Sequence, residues 1–234
     1  MSAIYKREMR AYFTSLISYV FFAAFFAIEG LMFAAIYETG STTVYAIPFM
    51  YPLYLTIFLI PLLTMRTISE DKRQKVDQVL LTAPVSVTGL IMGKFWACLS
   101  IYAIANAPLV IFQIIVSYHA TVNWLLFLYA ILGTLLLGAT LIAIGIFISS
   151  LTESSALAAV LSVVANIVLM FISSIFELIG IEWLTKIVSA VALLDRYTSF
   201  SNSVLKVEDL VYYITVIAVF IFLSVRSVEK RRWS

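Results

Sequence analysis

The sequence predicts an all-α, polytopic membrane protein with six transmembrane helices, and three observations carry that expectation. Of the 234 residues, 63% are hydrophobic and only 12% charged, with a mean hydropathy of +1.05, whereas soluble domains average about 25% charged residues. Between Lys94 and Glu153 no formally charged side chain occurs over 58 residues, well beyond the ~20 that one crossing of the hydrocarbon needs. Finally, the basic residues gather in short groups at the ends of apolar segments, the arrangement that orients helices in a bilayer.

The first apolar segment covers about 16–37 and contains one acid, Glu29. Preceded by MSAIYKREMRAYF, it imitates a signal peptide. It lacks a small-residue cleavage site at its end and further spans follow, so a retained helix is expected. A second span is expected at 46–65, where Pro48, Pro52 and Pro61 should kink the helix, a feature tolerated in membranes when neighbours satisfy the freed carbonyls. The long uncharged stretch reads as a hairpin, 95–118 and 124–148, interrupted by SYHATVNW. The fifth span is expected at 155–176. The sixth, at 210–226, is short enough that it must stand nearly upright or extend into its polar flanks.

Between the last two spans, 177–209 holds an apolar core, IVSAVALL, far below spanning length and surrounded by Glu177, Glu182, Lys186, Asp195 and Arg196. An external interfacial or re-entrant segment fits it better than a seventh crossing. Lys6, Arg7 and Arg10 precede the first span, five basic residues lie in 66–94, and Arg226, Lys230, Arg231 and Arg232 follow the last. The bias puts both termini and the 66–94 loop in the cytoplasm of a multi-pass protein of the inner or plasma membrane.

With a net charge of only +2 and no continuous basic face, a nucleic-acid partner is not expected. Cys98 is the only cysteine, so there is neither an intrachain disulfide nor a cysteine zinc pattern. His119 stands alone beside an external turn, which gives no metal site. No paired catalytic carboxylates, Ser/His/Asp cluster or Walker A sequence occurs, so neither a catalytic site nor a cofactor site is expected in this chain. Trp124, Trp183 and Trp233 suit interface anchoring.

Two sets of polar residues stand out. Within the spans, Glu29, Asn106, Gln113 and Asn166 either line a polar passage or bond between packed helices; Glu29 also has the alternative of lying near the external interface. Gly133, Gly138 and Gly145 with Ala139 and Ala143 give the fourth span small surfaces for close approach. In the loop, Ile68, Val76, Val79 and Leu80 share much of one helical face, with Glu70, Arg73 and Asp77 on the polar remainder. A short helix across the end of the bundle follows, either a solvated elbow or a partner-docking device. Residues Ile4, Tyr5, Met9, Tyr12 and Phe13 make the first segment an interfacial amphipathic helix of the same kind.

Three passages, YKREMRAYFTSLISYVF, ISEDKRQKVDQVLLTAPVSVTGLIMGKF and VEDLVYYITVIAVFIFLSVRSVEKRRW, resemble in order the permease subunits of type-2 ABC transporters, the exporter-like class, and particularly the branch with gliding-motility and nitrous-oxide-reductase-accessory permeases. The likeness covers essentially the whole chain. It implies a single domain of the type V exporter-like transmembrane fold, paired with a second permease copy or paralogue above a dimer of cytoplasmic ABC ATPases that bind ATP and magnesium. In the family the helix after the second span is the coupling helix, and the N-terminal interfacial helix also touches the ATPases. The resemblance therefore implies a docking surface that includes Glu70, Arg73, Asp77 and Leu80. The family often has a Gly-Thr pair where this chain has Lys75-Val76, and a glycine where Ser203 stands.

The function this implies is that of an exporting transmembrane subunit coupled to separate nucleotide-binding subunits, with an accessory membrane or extracellular subunit as a further possible partner. The competing expectation is an anchoring or assembly subunit of an ATPase-linked secretion, motility or maturation complex. The sequence leaves the substrate open.

Overall fold

The computed structural model describes residues 2–38, 52–75, 86–179, 192–201 and 206–232. Every regular element among them is an α-helix: α1 (Ser2–Thr14), α2 (Leu16–Glu38), α3 (Pro52–Thr64), α4 (Ser69–Arg73), α5 (Val87–Ala105), α6 (Ala107–Ser117), α7 (Trp124–Leu151), α8 (Ser155–Ile179), α9 (Leu193–Ser201) and α10 (Val207–Arg232). Five segments are long and apolar enough to cross a membrane: α2, α5 and α6 together, α7, α8 and α10. The chain is a membrane-embedded, all-helical protein.

The remaining expected span, 46–65, is described only from Pro52. Its 13 helical residues measure about 20 Å, short of the roughly 30 Å of hydrocarbon; residues 46–51, Pro48 among them, lie outside the described residues. Pro61, inside α3, leaves the Ile57 carbonyl without its helical donor. Asn166 on α8 supplies the replacement, its Nδ2 donating to Ile57 O at 3.4 Å, so one of the candidate passage residues mends a proline break in a neighbouring helix.

Two boundaries differ from expectation in a consequential way. The helix of the expected third span, α5, begins at Val87, capped by Ser86, whose hydroxyl accepts from Gly89 N at 3.1 Å. Lys94, placed in the loop by its charge, thus sits two turns inside a helix. The sixth span, expected at 210–226, extends into both polar flanks as α10, which resolves how so short an apolar run reaches spanning length.

Helix α7 is the central pillar, buried along most of its length and packed by α3, α5, α8, α9 and α10. Its glycines explain how neighbours come so close. A Cβ on Gly138 would lie 2.1 Å from the Tyr102 ring, and one on Gly145 2.2 Å from the Thr64 hydroxyl. Helix α9 is far too short to span. Tyr197 shares a 3.2 Å hydrogen bond with the Thr134 hydroxyl, and Phe200 packs on Gly133. Thr134 is ten residues, about 15 Å, along α7 from Trp124. Tyr213 donates to Leu193 O at 2.9 Å, and Arg196 pairs with Asp209 at 2.8 Å, tying α9 to α10. The IVSAVALL run and Trp183 lie outside the described residues, as does Trp233.

Candidate functional site

At the end of the bundle where α1, α4 and the start of α5 meet, three chain segments converge on one buried cation. Lys94, with 2% of its side chain exposed, lies 2.7 Å from Asp71 Oδ2 and 3.2 Å from Glu8 Oε1, and also donates to the Thr67 carbonyl. A buried ammonium is tolerated when each of its protons finds an acceptor, and this one has three. Arg7, which pairs with Glu8 and approaches Asp71 at 3.8 Å, extends the cluster toward solvent.

The same end is stitched by neutral groups. Ser149 Oγ, on the last turn of α7, accepts from Ile68 N at 3.2 Å and Ser69 N at 3.1 Å and donates to Met65 O at 3.2 Å. Ser150 O accepts from Lys72 Nζ and from Ser227 Oγ of α10. Tyr12 of α1 donates to Leu63 O at 3.1 Å and contacts Cys98 Sγ at the same distance. Burial, with the Cys98 thiol beside it, pushes the Tyr12 phenol well up, so it remains a neutral donor. Hydrogen bonds and ion pairs therefore join α1 and the α4 region to α5, α7 and α10.

Between α1 and α4 runs an open groove of about 390 Å³, bordered by Arg7, Glu8, Arg66, Glu70, Asp71 and Gln74. Of the expected docking residues, Glu70 lies on its rim, 3.7 Å from Arg66 and 3.1 Å from the Gln74 amide. Arg73 is exposed at the end of α4. Asp77 and Leu80 lie outside the described residues. The amphipathic helix expected from Ile68 to Leu80 is not continuous. α4 stops at Arg73, Gln74 closes it, and Lys75 adopts φ 58°, a left-handed conformation that ends a helix and favours glycine. Ile68 is buried, its N–H donating to Ser149 Oγ.

The passage or interhelical candidates lie deep in the bundle. Glu29 is fully buried, and neither carboxyl oxygen has a hydrogen-bond partner among the described residues. Its level follows from the aromatic residues one turn either side on α2. Phe25 packs edge-on to Tyr102 at 5.9 Å, and Phe33 stacks on Phe112 at 4.4 Å. Midway between Tyr102 and Phe112, the third span is broken at Asn106, where Pro108 follows and Asn106 Nδ2 turns back to Tyr102 O at 2.8 Å.

Glu29 and Asn106 are thus brought to one level of the bundle. Gln113 is also fully buried, one face-repeat further along α6, with both ends of its amide unpartnered among the described residues. The Tyr102 hydroxyl lies 3.5 Å from Thr56 and 3.4 Å from the Thr134 carbonyl, linking this polar belt to α3, α7 and, through Tyr197, α9. Asn166 belongs to the Pro61 repair instead. His119, at the far end, packs edge-on to Tyr37 at 6.1 Å and bonds Ile115 O.

Glu8, Asp71 and Lys94 were missed as a set by sequence reasoning. A signal was present: a lysine inside VTGLIMGKFWACL must either reach water or find acids, and the candidates are the acidic residues of the two polar segments that border the spans. Compared with known proteins, the chain matches no family model and no curated protein. Fold and site together define a class, a membrane-embedded helical bundle with a buried cluster of Lys94, Asp71 and Glu8 at one end.

Proposed function

We propose that this chain is the transmembrane subunit of an ATP-driven exporter of the type-2 ABC class, coupled to separate nucleotide-binding subunits. In this reading both termini face the cytoplasm of the inner or plasma membrane, six helices cross it, and a second permease copy or paralogue completes the pathway. ATP and magnesium belong to the partner ATPase dimer, which docks on α1 and on the α4 region through Glu70, Arg73, Asp77 and Leu80. Closure of the ATPases pushes on these elements and rearranges the paired bundles in alternating access.

The observation that carries the reading is the Lys94 cluster. It joins the two polar segments available to a soluble partner, α1 and α4, to the third span by buried ion pairs, while Ser149 and Ser150 carry the connection to α7 and α10. A terminus anchored only by apolar contact with lipid has no need of such a connection. With no Walker A sequence in these residues, the reading assigns hydrolysis to the partner ATPase.

The test is nucleotide hydrolysis by the purified chain, alone and after reconstitution in lipid with its associated ATPase and a panel of candidate substrates. The expected result is hydrolysis only in the complex, altered by Glu70→Ala and stimulated by a transported substrate. A stable complex whose hydrolysis ignores the substitution and every substrate would favour the anchoring or assembly role. Failure to recruit any ATPase would overturn the proposal.

A further inference from the structure

A second concavity lies on the flank of the bundle, between α5 and α10, away from both sites described above. It holds about 720 Å³, with Phe95, Trp96 and Leu99 on one wall, Ile214, Ile221 and Phe222 on the other, and Leu136 and Ala139 of α7 at its floor. Its polar lining is confined to one end, where Thr88, Arg226 and Glu229 stand. Along α10 it extends from Ile214 to Glu229, fifteen residues or about 22 Å. One leaflet contributes about 15 Å of hydrocarbon, so the groove matches a single leaflet together with its headgroup layer.

The charge at the polar end selects the headgroup. Arg226 is exposed, held over the Phe222 ring at 5.1 Å and paired with Glu229 at 3.1 Å. Between 226 and 232 the sequence places four basic residues against that one acid. A basic cluster directly following a spanning helix attracts anionic lipid, each lysine or arginine near the surface adding about 1 kcal/mol. We infer that this groove is a binding site for one anionic phospholipid, an acyl chain lying along α5 and α10 and the phosphate at the Arg226 end. The site goes beyond the ATP-driven reading and requires only that the chain sit in a bilayer.

The experiment is native mass spectrometry of the full chain released from nanodiscs of equal phosphatidylglycerol and phosphatidylcholine. The expected result is one retained phosphatidylglycerol per chain. Ala218→Trp, which fills the exposed side of the groove, should abolish retention while circular dichroism and elution volume are unchanged. Arg226→Gln should lower the preference for phosphatidylglycerol about fivefold, the effect of one basic residue. Wild-type chain without retained lipid, or retention without headgroup preference, would overturn the inference. So would disulfide-linked Ala218→Cys pairs in the bilayer, which would assign the groove to a second copy, or an Arg226→Gln chain that keeps the full preference.

Discussion

Lys94 and Glu29 are both buried within helices of the same bundle, and they have been accommodated in opposite ways. Lys94 reaches two carboxylates and a carbonyl. Glu29 reaches no hydrogen-bonding partner among the described residues, and aromatic rings pack one turn to either side of it. The difference teaches where each contributes. A buried ion whose partners come from distant segments ties those segments together, and removing it strands the partners. A buried polar group without such partners opposes folding, so Glu29 ties no segments together among the described residues.

The largest effect expected from this contrast is that of Lys94→Met. Leaving Glu8 and Asp71 without their cation should lower stability by about 3 kcal/mol, read as a fall in unfolding free energy in mixed micelles. A loss below the level of a surface ion pair, under about 1 kcal/mol, would mean that the cluster does not bind α1 and α4 to the third span.

Next is Gly138→Ala, which sharpens the comparison by perturbing the polar belt through packing alone. The added methyl meets the Tyr102 ring at 2.1 Å, and overpacking of this kind costs about 1–3 kcal/mol. Recovery in Gly138→Ala/Tyr102→Leu, measured in the same assay, would tie the cost to that ring.

Glu29→Gln should behave unlike Lys94→Met: stability unchanged or raised by up to about 1 kcal/mol, with assembly intact and, under the proposed function, transport impaired. A marked loss of stability would reveal a partner for the carboxyl, whereas unchanged transport would remove Glu29 from the working cycle.

The smallest effect belongs to Lys75→Gly. At φ 58° a glycine avoids the Cβ penalty and should add about 0.5–1 kcal/mol, measured as a raised unfolding midpoint. No gain would mean that the turn after α4 is held in place by other contacts.

What the sequence made legible was governed by local periodicity and composition. The apolar runs at 16–37, 124–148 and 155–176 coincide closely with α2, α7 and α8 because each is uncharged enough, or nearly so, for its hydropathy alone to mark it. The start of the third span was less legible. Lys94 carries a charge that normally terminates a crossing, and its partners Glu8, 86 residues away, and Asp71 meet it only in the fold. Likewise Asn166 could be seen as a polar residue in a span, but its role depends on Pro61 being brought beside it, 109 residues separating it from Ile57. The interruption of the loop helix at Lys75 was hidden because amphipathic spacing says nothing of φ. Pairings across the bundle have no period in the sequence, and the polar residues that matter most are those whose partners arrive by folding.

The most direct test of the account is a double-mutant cycle between Asp71 and Lys94, using Asp71→Asn, Lys94→Met and the combination, with unfolding free energy measured in lipid-containing micelles. A joining ion pair predicts that the double substitution costs less than the sum of the singles by at least about 1 kcal/mol. Additivity within about 0.5 kcal/mol would contradict the claim that Lys94 links the α4 region to α5.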